Sequence, residues 1–178
     1  MKIARVWAMP NKNTFSIPPI NSLIRRHVSG KSIDPFANVN KLAMITNDID
    51  TMYPTDHHLD ALDFLKTFHD EDVDCVLYDP PYSPRQVSEV YTKLGMTVNM
   101  ETTQASFWSN MKKEIGRITK IDGIVVSCGW NSGGIGKKYG FELQEVLLVP
   151  HGGQHNDTIV TVERKTRKLY KSDTDLID

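Results

Sequence analysis

The run Val73-Asp74-Cys75-Val76-Leu77-Tyr78, followed at once by Asp79-Pro80-Pro81-Tyr82, constrains this chain more than any other segment. Its apolar character and turn-rich ending read as a buried strand that stops sharply. Proline fixes φ, offers no N–H and pushes the residue before it toward extended conformations. Asp79 and Pro80 each precede a proline, so the backbone is stiff where the strand ends. In an open α/β sheet the carboxyl ends of the strands face the ligand crevice. A carboxylate, a carbonyl without competing donors and a flat aromatic are thereby aimed at one small group. A plain strand-terminating turn, with Asp79 as a cap and Tyr82 packed, would use the same four residues.

An exocyclic amine on a nucleobase suits the first arrangement. Its lone pair is delocalised into the ring, which makes it a poor nucleophile. The Asp79 carboxylate and the Pro80 carbonyl would accept its two N–H bonds and return electron density to nitrogen. Tyr82 would stack on the ring, a contact worth roughly 1–3 kcal/mol per base in single-strand binding. No strong base is required, because the proton turns acidic only as nitrogen gains its new bond.

The tetrad resembles the catalytic motif of amino-group DNA methyltransferases, which move a methyl group from S-adenosylmethionine to adenine N6 or cytosine N4. The form beginning with Asp is the usual adenine version. Ser32-Ile33-Asp34-Pro35-Phe36-Ala37 is similar to the family's Asp-Pro-Phe strand end, which faces the methionine part of the cofactor. Thr46-Asn47-Asp48 resembles the acidic end of the next strand, whose carboxylate holds the ribose hydroxyls. Asp60-Ala61-Leu62-Asp63-Phe64-Leu65 looks like the segment that approaches the cofactor's adenine amine. Thr14-Phe15-Ser16-Ile17-Pro18-Pro19-Ile20 looks like the segment that closes over the methionine end.

The resemblance covers Thr14 to about Lys165 and is strongest to small phage- and prophage-type adenine enzymes. It implies a Rossmann-like methyltransferase fold, S-adenosylmethionine as cofactor, DNA as substrate, and the cytoplasm of a bacterial or phage-infected cell, with restriction-modification among the family's roles. It implies catalytic roles for Asp79, Pro80, Pro81 and Tyr82. It also implies cofactor contacts from Pro19, Asp34, Pro35, Phe36, Asn47, Asp48, Asp60, Ala61 and Asp79. The family follows Asp-Pro-Phe with a glycine-rich turn, whereas Ala37-Asn38-Val39-Asn40-Lys41 has no glycine. Asn tolerates left-handed backbone, so Asn38 or Asn40 is expected to take the turn. Two alternatives stay open: an RNA base amino-methyltransferase, and a non-catalytic module that binds cofactor or nucleic acid.

The chain's 178 residues, 39% of them hydrophobic, are enough for one domain over residues 1–165, with residues 166–178 as a polar tail. No apolar run is long enough for a membrane helix, and Met1-Lys2-Ile3-Ala4-Arg5 is not followed by a signal-peptide core. Cys75 and Cys128 sit in strand-like runs without metal spacing and read as reduced core thiols, unless adjacent strands bring them together. A net charge of −1 gives no global attraction for nucleic acid, so binding would need a local basic face. Arg25-Arg26, the Lys112/Lys113/Arg117/Lys120 set and Arg164-Lys165 with Arg167-Lys168 are candidates, as are Lys137-Lys138.

Periodicity places strands at Lys2–Met9 (with Trp7 partly packed), Lys31–Asp34, Leu42–Thr46 and Val73–Tyr78, then at Ile124–Cys128, Phe141–Val149 and Asp157–Glu163. Helices are expected over Pro19–Val28, after a Thr55-Asp56 cap, from Ser83 to Leu94 with Gly95 closing it, and over Thr102–Ile118. Alternation of this kind, ending in a hairpin, reads as a mostly parallel doubly wound α/β sheet with one antiparallel strand.

Around the tetrad, Trp130, in the Gly129-to-Gly134 loop, is a candidate wall for a base, or else a core residue. Lys137 and Lys138 are candidates for phosphates, Arg85 for a phosphate or a carboxylate partner, and His155 and Asn156 for the target strand. His151, His155 and Asp157 could be metal ligands by type, but turn chemistry explains the segment and amine methylation needs no metal, so no metal is assigned. Little chain follows the hairpin. Target specificity is therefore expected to come from loops such as 101–106 or 154–157, or from a homodimer or specificity partner, or else to be weak.

Overall fold

The computed structural model describes residues 1–97 and 105–168. β4 (Val73–Tyr78) lies inside a seven-stranded sheet between β2 (Ser32–Asp34) and β5 (Thr119–Gly129), parallel to both. β3 (Ile45–Thr46) extends one edge. On the other side come β7 (Thr158–Lys165), β6 (Phe141–Val149) and β1 (Lys2–Arg5). β7 runs antiparallel to β5 and β6, and the remaining pairs are parallel. The expected doubly wound architecture with a terminal hairpin is present.

A strand covered on both faces needs an apolar run, and β4 supplies one apart from Asp74 near its start, which is partly buried and paired with Lys120 at 2.8 Å. Cys75 and Leu77 join a cluster with Ile20, Leu23 and Ile24 of α1 (Pro18–His27). Val76 and Tyr78 join the opposite cluster with Phe64 and Leu65 of α2 (Ala61–Lys66) and Met111, Ile115 and Ile118 of α4 (Ala105–Ile118). α1 opens on two prolines, whose missing N–H groups would have had no helical partner there. α3 (Pro84–Lys93) is capped by Ser83, whose hydroxyl accepts from the Gln86 N–H, and Gly95 follows it at φ +69°.

Several boundaries differ from the periodicity. β1 stops at Arg5, although the Val6 and Ala8 N–H groups still bond to the Leu148 and Pro150 carbonyls. Trp7 is 61% exposed, not partly packed. The expected Leu42–Thr46 strand shrinks to two residues, and residues 35–44 join β2 to β3 through turns without a helix. Thr55-Asp56 caps nothing. The Asp56 carboxylate is instead taken by the Thr46 N–H (2.8 Å) and hydroxyl (2.7 Å), which ties this segment to the sheet edge. Asp60 caps α2 by accepting from the Leu62 N–H at 2.9 Å. Asp122-Gly123 does not start a strand: β5 runs through it, with Asp122 at φ +66° where the pairing with β4 shifts register.

Cys75 and Cys128 stand on adjacent strands, but Cys75 is in register with Ile124, and both thiols are free. Among the described residues no helix is long and apolar enough to cross a membrane. Residues 98–104 and 169–178, which hold most of the expected 101–106 loop and the polar tail, lie outside the described residues.

Gly30 sits at φ +58°, and a Cβ there would lie 2.5 Å from Asp74 Oδ2, an atom already bonded to the Lys31 N–H. Left-handed backbone costs a residue with a side chain about 1–2 kcal/mol. Gly30→Ala is expected to lower the unfolding free energy by at least that much. Urea denaturation at unchanged m-value checks it, and an unaltered midpoint would refute the strain.

Candidate active site

The carboxyl ends of β2, β3 and β4 open onto a cleft of about 450 Å³. Its lining includes Asp79, Pro80, Pro81 and Tyr82 after β4, Pro35 and Phe36 after β2, Asp48 after β3, and Asp60 and Ala61 at the head of α2. Segments far apart in sequence thus meet at one sheet edge. A second cavity, about 360 Å³, lies on the other side of the tetrad and shares Pro80, Pro81 and Tyr82 with the first.

The tetrad is held from several directions. The Tyr82 hydroxyl donates to Asp79 Oδ1, with the Thr14 hydroxyl bonded alongside. The Tyr82 N–H donates to Gln86 Oε1 at 2.6 Å, and Trp108 Nε1 donates to the Pro81 carbonyl at 2.8 Å. The Tyr82 ring meets the Trp130 ring edge-on, with centroids 5.5 Å apart. Burial raises the Asp79 carboxyl above its ordinary range, and the bonds from Tyr82 and Thr14 partly offset this.

Asp34 lies wholly buried beneath the cleft and is not part of its lining. Its Oδ1 accepts from the Phe36 N–H at 3.0 Å, while Oδ2 is buried with no partner among the described residues. Burial raises this carboxyl well above the usual value, and the nearby Asp79 and Asp48 charges add to the rise. An ammonium group reaching Oδ2 would relieve it. The amino-acid end of S-adenosylmethionine carries such a group, and the charge of Asp34 beneath the cleft complements it.

The turn after Phe36 is made without glycine, as the Asn content suggested. Asn38 adopts φ +42°, and its N–H bonds to Asp48 Oδ2 at 2.9 Å. Val39 is half exposed, so its bulk points away from the cleft. Asp48 Oδ1 accepts from the Asp50 N–H at 2.9 Å, which fixes the carboxylate in the cleft wall with lone pairs to spare. Asp60 Oδ2 accepts from the Tyr91 hydroxyl at 2.5 Å.

Other sequence candidates stand elsewhere. Asn47 is fully buried and bonds the Pro35 and Leu59 carbonyls and the Leu59 N–H; its amide braces the loops and faces no cavity. Pro19 lies within the first turn of α1, and Thr14 and Lys12 of the preceding loop reach the cleft instead. Lys137 and Lys138 immediately precede β6, whose first residue pairs with Lys165 at the end of β7. That is the opposite edge of the sheet from Asp79, so they are not beside the tetrad. Arg85 is exposed and paired with Glu89 at 2.8 Å.

His155 and Asn156 do lie at the tetrad's edge of the sheet, exposed in the β6–β7 loop, outside both cavity linings. His151 is locked between the Ala8 carbonyl and the Thr158 hydroxyl, each at 2.8 Å. Trp130 lines the second cavity. Its loop is pinned by the buried Glu163, which accepts from the Ile135 and Gly136 N–H groups at 2.6 and 2.9 Å. Of the basic sets, Lys165 is buried against the Gly116 and Thr119 carbonyls, and Arg117 and Lys120 are paired with acids.

The sequence reading missed Tyr91, Gln86 and Trp108, and it named Lys112 only as part of a candidate basic set. The first two lie on α3 one turn or more beyond the tetrad, within reach of it once a helix is drawn from Ser83. Trp108 and Lys112 come from α4, and no local pattern links them to the site.

No protein-family model matches this sequence, and no curated protein does. Solved structures do share its fold. TrmN from Thermus thermophilus superposes with a TM-score of 0.52 at 16% identity, over 84% of this chain and 49% of that one. HI0767 from Haemophilus influenzae, provisionally assigned as a methylase, gives 0.51 at 11% identity over 84% and 87%. The chain thus spans about half the length of the first of these. The fold is the Rossmann-like methyltransferase fold.

Asp34 carries a testable cost. Its folded carboxyl lies well above the unfolded value near 3.9. The native state therefore binds the proton more tightly, and stability falls as pH rises from about 4 through the raised value. Asp34→Asn keeps the acceptor for Phe36 and removes the charge. It is expected to stabilise the apo protein by on the order of 1–3 kcal/mol at about pH 8, with the gain gone by about pH 3. Thermal unfolding at both pH values decides it; no gain at pH 8 would show that Asp34 carries no such cost.

Proposed function

We propose that the protein transfers a methyl group from S-adenosylmethionine to the exocyclic N6 of adenine in DNA, acting as a single catalytic domain over residues 1–165. One observation carries the reading: Pro80, Pro81 and Tyr82 form a wall common to two cavities, and Asp79 beside them lines the first. A group-transfer enzyme needs donor and acceptor on opposite sides of one oriented point, and this wall offers that.

Residues of the first cleft suit the cofactor. Asp48 would meet the ribose hydroxyls and Asp60 with Ala61 the adenine end, with Asp34 buried beneath the cleft as the negative charge under the ammonium end, while Phe36 packs edge-on against Tyr78 at 6.0 Å and shapes the floor. The bound cofactor supplies an electrophilic methyl on a sulfonium. Asp79 and the Pro80 carbonyl accept the two N–H bonds of the target amine and turn its lone pair toward that methyl. Holding both reactants in a near-attack geometry, away from water, supplies much of the acceleration. As nitrogen gains its bond and becomes positive, Asp79 stabilises the charge and accepts the departing proton. Tyr82 presents its ring for stacking, and taking the base out of the duplex costs a few kcal/mol.

A second reading, in which the amine belongs to an RNA base, would use the same tetrad. Parallel incubation with duplex DNA, single-stranded DNA and RNA, followed by nucleoside mass spectrometry, separates the two. N6-methyladenine from DNA is the expected product.

Asp79→Ala is expected to abolish methyl transfer and leave cofactor affinity within a few-fold by calorimetry; native-rate methylation by this variant would refute the assigned role. A pH profile tests the same carboxylate. Asp79 must be ionised to accept the amine, so its raised value moves the acid limb of kcat/KM above the ordinary range near pH 3.9. Tyr82→Phe keeps the ring and deletes the bond that lowers the value. Its acid limb is expected at higher pH than wild type, and an unmoved limb would assign the limb to another group.

A further inference from the structure

Tyr78, Ser127 and Thr161 form one row across β4, β5 and β7, Tyr78 in register with Ser127 and Ser127 with Thr161. Registered neighbours project to the same face of a sheet, here the face that α4 covers. All three side chains are buried, and Tyr78 Oη, Ser127 Oγ and Thr161 Oγ1 have no hydrogen-bond partner among the described residues. Native proteins leave few buried polar atoms unsatisfied, because each is destabilising. Three in one row point to something outside the chain that satisfies them.

All three residues line the second cavity. Trp130 and Trp108 supply further flat walls, Lys112 is the cation among its lining residues, and Pro80, Pro81 and Tyr82 form its side toward the cofactor cleft. Burial lowers the Lys112 amine below its ordinary value, with the Glu163 charge opposing this. This is poor furniture for a phosphate, which favours arginine forks and clustered cations. An apolar ligand would leave the hydroxyls as they are. A flat heterocycle with nitrogen and oxygen acceptors on its edge answers both the rings and the hydroxyls, each of which can donate or accept.

We infer that the second cavity receives the ring of the target nucleobase, and that the hydroxyl row Tyr78, Ser127 and Thr161 reads its edge. This rests on the methyl-transfer reading for one point, the placing of the exocyclic amine at the shared tetrad wall. The row is then the specificity element: a site built to bond a polar edge discriminates strongly against a ring that lacks it. Part of the selection is then made inside the fold.

The test uses the full chain with deoxyadenosine as probe, followed by quenching of tryptophan emission from Trp108 and Trp130. The cofactor cleft is filled with saturating S-adenosylhomocysteine, and the titration is repeated without it. Saturable quenching is expected in the wild type, with Kd raised tenfold or more in the Ser127→Ala/Thr161→Val double variant. Affinity for S-adenosylhomocysteine should not change. Because the hydroxyls lack partners in the chain, the double variant and Tyr78→Phe should unfold at the same temperature as wild type or higher. Equal Kd in wild type and double variant, absence of saturable quenching, or a lowered unfolding temperature would each overturn the inference. The two proposals fail separately. A wild type that binds deoxyadenosine through the row yet makes no N6-methyladenine keeps the pocket and loses the methyl transfer. An active enzyme whose KM for DNA is unchanged by the double substitution loses the pocket and keeps the reaction.

Discussion

The site depends on one constraint: β4 is paired on both edges and covered on both faces, and it ends in two prolines. Pairing with β2 and β5 fixes the strand's direction, while α1 on one face and α2 with α4 on the other fix its height in the sheet. Only backbone held this firmly can deliver Asp79 and the Pro80 carbonyl to a set position. Rigidity then passes outward, since Gln86 holds the Tyr82 backbone and Trp108 the Pro81 carbonyl. A wall between two cavities must not move when either is filled, and each of these bonds braces it.

Charge is the cost of the arrangement. Asp34, Asp48 and Asp79 all have carboxyls raised by burial, and Asp34 is raised further by the other two. A fold selected for stability alone would not place three acids together with one oxygen orphaned. The same holds for the hydroxyl row of the second cavity. In both places the native chain carries buried polar groups that no other described residue satisfies. Such sites are where a protein gives up stability for binding.

The half of the sheet beside the first cleft is built economically. β2 passes to the two-residue β3 through turns, and a left-handed Asn38 replaces a glycine. Asp48 stabilises that turn by accepting the Asn38 N–H, so one carboxylate both shapes the loop and faces the cleft. Asp56, anchored on Thr46, brings the chain back along β3 toward Asp60. Short-range polar bonds here take the place of a helix.

Local chemistry was legible in the sequence wherever neighbouring residues decided it. The buried character of β4, its proline stop, the α1 start to within one residue of Pro19, the Ser83 cap of α3, and the β6–β7 hairpin all follow from period, turn residues and caps. That an asparagine takes the left-handed turn follows from the absence of glycine, whereas the choice of Asn38 over Asn40 was settled by the fold, where Asp48 accepts the Asn38 N–H. Tertiary structure decided what depends on register and on distant chain. Asn47 and Asp48 are adjacent in sequence, yet alternation turns one into a buried brace and the other to the cleft. Lys137 and Lys138 follow a loop that starts at the tetrad's edge, but that loop descends the sheet face to Glu163 and leaves them at the far edge. Tyr78, Ser127 and Thr161 look like ordinary strand residues one at a time. Cross-strand pairing makes them a row, because a sheet sets side by side residues that the chain separates by dozens of positions.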